Sequence, residues 1–384
     1  LVAALIGLNS IALDIMLPAL PEIGKATNAA SSNLPQFTIG LFLLGAGLSA
    51  LLIGPFADSY GRRPALLAGL AVFVAASFLA PYAPNLECLL ALRFLQGLGV
   101  GATRVSQAMV RDSYAGDEMA EIFSLSLMAF LILPVIAPVL GQAILLVTSW
   151  HAIFFVMAAL GAMLMAWVWV RLPETLTPAH RRPFSLAGIF GGLRLVLGDR
   201  DAMGYGLAAM FLLGALYGFI NSAQQIYGQT FGLGALFPIS FGAVAIIQSM
   251  AAYICSRLIR RLGAETVGLT SLLAFTGFAA LLVIANAFGA MPFALFFVLI
   301  AAIMAMFTWA DSTLGALSMK NLGAAAGTAA SAFGALQAIG ATILGSLIGQ
   351  AYDGTPTALA FGYLATGIAA LLSVAWGRRR ATVG

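Results

Sequence analysis

Apolar residues run through this chain in long blocks, and polar residues gather in short clusters between them. Twelve blocks fall at residues 1–20, 36–56, 65–82, 86–111, 119–147, 151–171, 202–227, 235–258, 265–286, 291–317, 324–350 and 356–377. About 20 apolar residues suffice for a helix to cross a bilayer. The pattern therefore predicts an all-α integral membrane protein of twelve transmembrane helices. The longest polar interruption divides six blocks from six. It predicts a six-helix bundle over 1–171, a cytoplasmic linker over 172–201 and a second bundle over 202–384. Halves with equal helix number and the same in/out sense predict two pseudo-symmetric bundles, related by an axis along the membrane normal.

The first dense polar cluster is Gly54-Pro55-Phe56-Ala57-Asp58-Ser59-Tyr60-Gly61-Arg62-Arg63-Pro64. It reads as a loop of about ten residues closing a transmembrane hairpin. Gly61 can take φ > 0 and sharpen the turn. Pro64 suits the first turn of the next helix. A degenerate echo, Ser256-Arg257-Leu258-Ile259-Arg260-Arg261-Leu262-Gly263, stands at the corresponding place in the second half.

Composition agrees with the pattern. The chain is 61% hydrophobic and 8% charged, against about 25% charged in soluble proteins. With the N-terminus placed in the cytoplasm, every one of the 18 Lys and Arg except Lys25, Arg93 and Arg104 falls on the inner side. That asymmetry sets the orientation, with both termini cytoplasmic. It also explains the +4 net charge without a nucleic-acid partner. Cys88 and Cys255 have neither metal nor redox spacing. No signal peptide is legible. The chain opens inside an apolar run without Met, so a short preceding tail is expected. No nucleophile–base pair, metal cluster or phosphate loop points to an enzyme.

Ionisable groups inside a bilayer mark function by default, and four stand out: Asp14, Arg93, Arg104 and Asp311. Pro18, four residues after Asp14, has no N–H, so the Asp14 carbonyl loses its helical partner. A carboxylate and a freed carbonyl then share one site. A carboxylate held between burial and a neighbouring cation can exchange protons near neutral pH. Arg93 lies at a similar depth and is the candidate counter-ion, for proton exchange or as half of a fixed structural pair. Arg104 comes eleven residues after Arg93, close to three helical turns, and so faces the same way. It lines the same cavity or snorkels to the inner interface. Asp311 is a second protonation site or a partner for a basic group at the inner gate. Asn221, Gln224, Gln225 and Tyr227, with Gln96, Gln107, Gln248 and Gln337, could hydrogen-bond an uncharged polar substrate. Met16, Phe37, Phe130, Phe219 and Trp309 could form its apolar wall, or each could be packing bulk.

The G-x-x-x-D-x-x-G-R-R pattern at 54–63 resembles the loop between helices 2 and 3 of the major facilitator superfamily. Asp14, Pro18 and Pro21 resemble the helix 1 motif of its twelve-helix drug:proton antiporter group. Arg93, Gln96, Gly97, Gly99 and Gly101 resemble the helix 4 motif. Pro134, Pro138 and Gly141 resemble the helix 5 antiporter motif, although Ala137 replaces its usual glycine. Arg111-Asp112 and Leu172-Pro173-Glu174-Thr175-Leu176 are similar to features of the bicyclomycin/chloramphenicol resistance subgroup. The subgroup's usual arginine is absent at Gln107, with Arg104 one turn earlier.

The resemblance implies proton-coupled efflux of drug-like amphiphiles by alternating access, with Asp14 as the proton carrier. It implies no cofactor beyond the proton gradient, and a monomer in a bacterial inner membrane whose partners are substrate, protons and lipid. It also implies a cytoplasmic latch built on Gly54, Asp58, Gly61, Arg62, Arg63 and Asp112. Asp58 would cap expected helix 11 near Gly323, and Arg62 would bridge Asp58 and Asp112. A uniporter or an importer of a small polar metabolite is the alternative on the same fold.

Overall fold

The computed structural model describes residues 1–177, 179, 181, 191, 194, 197–289, 291–320 and 326–378, the side chains of 120, 127, 129–131 and 326–332 apart. Among them every regular element is helical. Contacts divide the chain into two compact units, Leu1–Gly188 and Ile189–Gly384. Of the expected linker, residues 178, 180, 182–190, 192, 193, 195 and 196 lie outside the described residues.

In the first unit, α1 (Val2–Asp14) stops four residues short of Pro18, and a 3-10 turn over Leu17–Ala19 leads to the short α2 (Leu20–Ala26). Then come α3 (Phe37–Tyr60), α4 (Arg62–Leu79) and α5 (Leu86–Gly101). A 3-10 turn over Ala102–Arg104 joins α5 to α6 (Val105–Ser113). α7 (Gly116–Val147) and α8 (His151–Arg171) follow among the described residues.

The second unit contains α9 (Arg200–Gln225), a π turn over Ile226–Thr230, α10 (Phe237–Leu262), α11 (Ala264–Ala287), α12 (Phe293–Ser318), α13 (Ala326–Gln350) and α14 (Thr357–Arg378). Among the described residues, eleven helical stretches are long and apolar enough to cross a membrane, and Ile132–Val147 within α7 is a shorter one. Trp169, Leu347 and Leu372 are more than half exposed, as hydrocarbon-facing side chains are.

Several helix pairings inside one unit recur inside the other, although α9 also packs closely on α12 and α14 where α1 touches α5 and α8 little. α1 lies on α7, α3 on α5, and α4 on both α5 and α8. In the second unit α9 lies on α13, α10 on α12, and α11 on both α12 and α14. Each pair occupies the same ordinal place in its half. The hairpin joints repeat too. Gly61 has φ 111° and ψ 153°, and Gly263 has φ 81° and ψ 151°.

These joints correct the expected ten-residue loop. The helix continues through Gly54, Pro55 and Asp58, and one residue, Gly61, turns the chain. An interior proline removes only one ladder bond, and Gly61 N–H still closes the helix end on Ala57 O at 3.0 Å.

Candidate functional site

The break in α1 and its surroundings form the polar centre of the first unit. Past Asp14, Ile15 N–H returns to Ile11 O at 3.0 Å, and the α-helical ladder ends. Asp14 is 3% exposed. Met16 is fully buried. α7 presses onto the break, because Gly141 carries no side chain: a Cβ there would overlap the Ile15 carbonyl. Pro134 and Pro138 sit inside the same helix, about two turns and one turn before Gly141.

Arg93 is fully buried, but it does not pair with Asp14. Its Nη2 donates to Ala12 O (3.2 Å), Nε to Thr38 O (3.2 Å) and Nη1 to Gln96 Oε1 (2.8 Å). The guanidinium carbon lies 4.4 Å from the Phe42 ring centre. Gln96 Nε2 donates in turn to Ser77 Oγ at 2.7 Å. One side chain thus ties α1, α3 and α5 together, and its partner reaches α4. The expected ion pair is absent: three of the five guanidinium donors go elsewhere, two of them to backbone carbonyls. Ala12 and Asp14, two positions apart, lie ~200° apart around a helix. Gln96, expected at the substrate, has both ends of its amide engaged inside the bundle.

Arg104 does not share the Arg93 environment either. The helix tightens to 3-10 geometry over Ala102–Arg104. Three residues at ~120° instead of ~100° rotate the later residues by roughly 60°. Arg104 is exposed and lines a cavity of about 600 Å³ within this unit. Asn9, Thr103, Gln107 and Ser126 supply its other polar atoms, and Ile6, Val100 and Phe123 are among its apolar ones. Arg93, Gln96 and Asp14 are not among its walls.

A second polar cluster gathers at the α3–α4 joint and the ends of α6 and α8. Arg62 Nη1 lies 2.6 Å from Asp58 Oδ1, and Nε lies 3.3 Å from Asp112 Oδ2. Thr175 Oγ1 donates to the same Asp112 oxygen at 3.1 Å. Arg63 Nη2 donates to Trp169 O at 2.6 Å. Glu174 accepts from Arg62 N (3.0 Å) and Arg63 N (3.1 Å) at the start of α4. The first backbone donors of α4 are accounted for: Gly61 N–H bonds back to α3, Glu174 takes the next two, and Pro64 has none, whereas Arg63 Nε is buried without a partner among the described residues. Gly54 has open space beside it. Gly323 lies outside the described residues, and so does the side chain of Phe130.

In the second unit two of the expected substrate amides, Gln248 and Gln337, are tied to neighbouring helices, and Asn221 to its own. Asn221 Nδ2 donates to Tyr217 O (2.7 Å), Gln337 Nε2 to Gly206 O (2.7 Å) and Gln248 Nε2 to Met304 Sδ (3.7 Å). Trp309 Nε1 donates to Ala251 O at 2.7 Å. Phe219 stacks on Phe241 with centroids 5.6 Å apart. Gln224, Gln225 and Tyr227 are buried, and the Tyr227 ring packs edge-on against Phe237, Phe293 and Phe296. Phe37 and Asp311 are half-buried.

Residues 2–345 match the Major Facilitator Superfamily. The chain belongs to that superfamily.

Among curated relatives, the uncharacterized MFS-type transporter YdgK of Bacillus subtilis is 34% identical over 254 residues, 65% of this chain and 63% of that protein. The bicyclomycin resistance protein homolog of Haemophilus influenzae is 30% identical over 257 residues, 66% of this chain and 64% of that protein. The chain thus spans less than two thirds of the length of either relative. A crystal structure of a D-xylose-proton symporter superposes with a TM-score of 0.76 at 15% identity, covering 98% of this chain and 96% of that one. At that identity the likeness shows the major facilitator fold alone.

Within this major facilitator, sequence reasoning missed Asn9, Phe123 and Ser126 as cavity walls and Glu174 as a helix cap. Glu174 left a signal. α4 opens on Gly-Arg-Arg-Pro with no capping side chain of its own, so its free N–H groups call for an acceptor from another segment.

Proposed function

We infer that this chain exports small drug-like amphiphiles from the cytoplasm in exchange for protons, by alternating access, with Asp14 carrying the proton. One observation carries the reading: a carboxyl group, 3% exposed at a helix break, has no ion-pair partner among the described residues. It can gain or lose a proton without first tearing apart a salt bridge. Transmembrane carboxylates of this kind mark proton paths. The names of two relatives support a drug-like cargo: the bicyclomycin resistance protein homolog and the multidrug resistance protein MdtL of Vibrio parahaemolyticus, 36% identical over 174 residues.

The protein works as a monomer in a bacterial inner membrane, with both termini cytoplasmic and no cofactor beyond the proton gradient. Arg93 holds the helix break open for Asp14 instead of neutralising it. The Asp58–Arg62–Asp112 cluster latches the cytoplasmic side, and Asp311 serves as a second ionisable site.

Reconstituted vesicles test the coupling. Asp14→Asn is expected to abolish uphill export driven by a pH gradient while leaving substrate counterflow intact. Undiminished gradient-driven export by Asp14→Asn would refute the assignment.

A further inference from the structure

The first-unit cavity carries a charge that the chain does not balance. Arg104 lines it, and none of its N–H donors has a protein partner among the described residues. No aspartate or glutamate is among the residues lining the cavity. An arginine fork that has no protein acceptor and opens onto a cavity is a ready site for an anionic group.

The remaining polar walls sharpen the description. The Thr103 hydroxyl donates to Val100 O (2.7 Å) and that of Ser126 to Ile122 O (2.8 Å), so both offer only lone pairs to a guest. Ile6, Val100 and Phe123 provide apolar surface. The volume of about 600 Å³ lies within the ~300–1,000 Å³ typical of sites for drug-sized molecules.

We propose that this cavity binds acidic or zwitterionic amphiphiles: an anionic head on Arg104, with an apolar ring system against Phe123. The proposal names the cargo class for the efflux reading and rests on it for direction of transport, but not for binding. Lipophilic cations are disfavoured, because Arg104 repels them and no carboxylate lines the walls.

A fluoroquinolone with its free carboxylate, and the methyl ester of the same compound, separate the possibilities. Binding to detergent-solubilised protein is measured first, then uptake into everted vesicles with and without a pH gradient. Wild type is expected to bind the acid at least about tenfold tighter than the ester. Arg104→Gln is expected to erase that difference, leaving ester binding unchanged, while Arg104→Lys restores part of it. Arg104→Gln removes no polar protein contact, so its melting temperature should match wild type. Equal binding of acid and ester by wild type, or wild-type acid binding by Arg104→Gln, overturns the proposal. Gradient-driven uptake of the ester but not the acid sinks the cargo class and leaves efflux standing. Selective binding of the acid with no uptake of either compound sinks efflux and leaves the site standing.

Discussion

Arg93 is a scaffold residue whose value lies in the shape of its head group. Three acceptors in three separate directions match a planar fork and not a point charge. Arg93→Lys keeps the charge but can satisfy at most part of that set, leaving Ala12 O or Thr38 O without a donor. Losing hydrogen bonds at a buried charge costs roughly 3 kcal/mol. A drop of several degrees in the thermal midpoint of the purified protein is the expected outcome, and an unchanged midpoint would remove Arg93 from this role. The sequence made Arg93 and Asp14 conspicuous, since charge inside an apolar run is visible in any reading. Their partners were not visible. Whether a guanidinium meets a carboxylate or a carbonyl depends on the rotation of two helices to within a fraction of a turn. Arg104 shows the same limit: three residues of 3-10 helix moved it out of register, and nothing in Ala102-Thr103-Arg104 announces that turn.

At the level of elements, Glu174 closes a helix that its own sequence leaves open. Its two oxygens meet the first two backbone donors of α4, near the positive end of the helix dipole. Glu174→Ala removes both acceptors and is expected to destabilise the first unit by about 1–2 kcal/mol. The readout is faster amide hydrogen exchange confined to the first turn of α4 and the neighbouring Asp112 region. Uniform exchange across the unit would count against a local cap. The helices were legible from the apolar blocks, because each block has the length a bilayer demands. Their ends were less so. Residues 54–60 combine Gly, Pro, Asp and Ser, which in water would signal a loop, yet the helix runs through them to Gly61. Backbone groups near a membrane are better satisfied by an extra helical turn than by an open one.

For the whole molecule, the two units share several helix pairings and one glycine joint. The degenerate echo at 256–263 pointed to the joint because glycine is the residue that takes a positive φ without strain. Orientation is tested by the two cysteines. Cys88 is exposed in the first turn of α5, and Cys255 is buried within α10. With the N-terminus inside, Cys88 faces the outer aqueous phase. A membrane-impermeant maleimide applied to intact spheroplasts is expected to label Cys88 and to spare Cys255. Labelling of Cys88 only after the membrane is opened would reverse the topology.

A hinge made from one residue has almost no free play. α3 and α4 meet at Gly61 with no slack between them, and α4 is pinned there by Glu174 while α3 crosses α5 backbone to backbone at Gly45 and Gly97. The pair therefore behaves as a stiff bracket. A displacement of the Gly61 joint would be carried along α3 to that crossing, about one helical turn from Arg93.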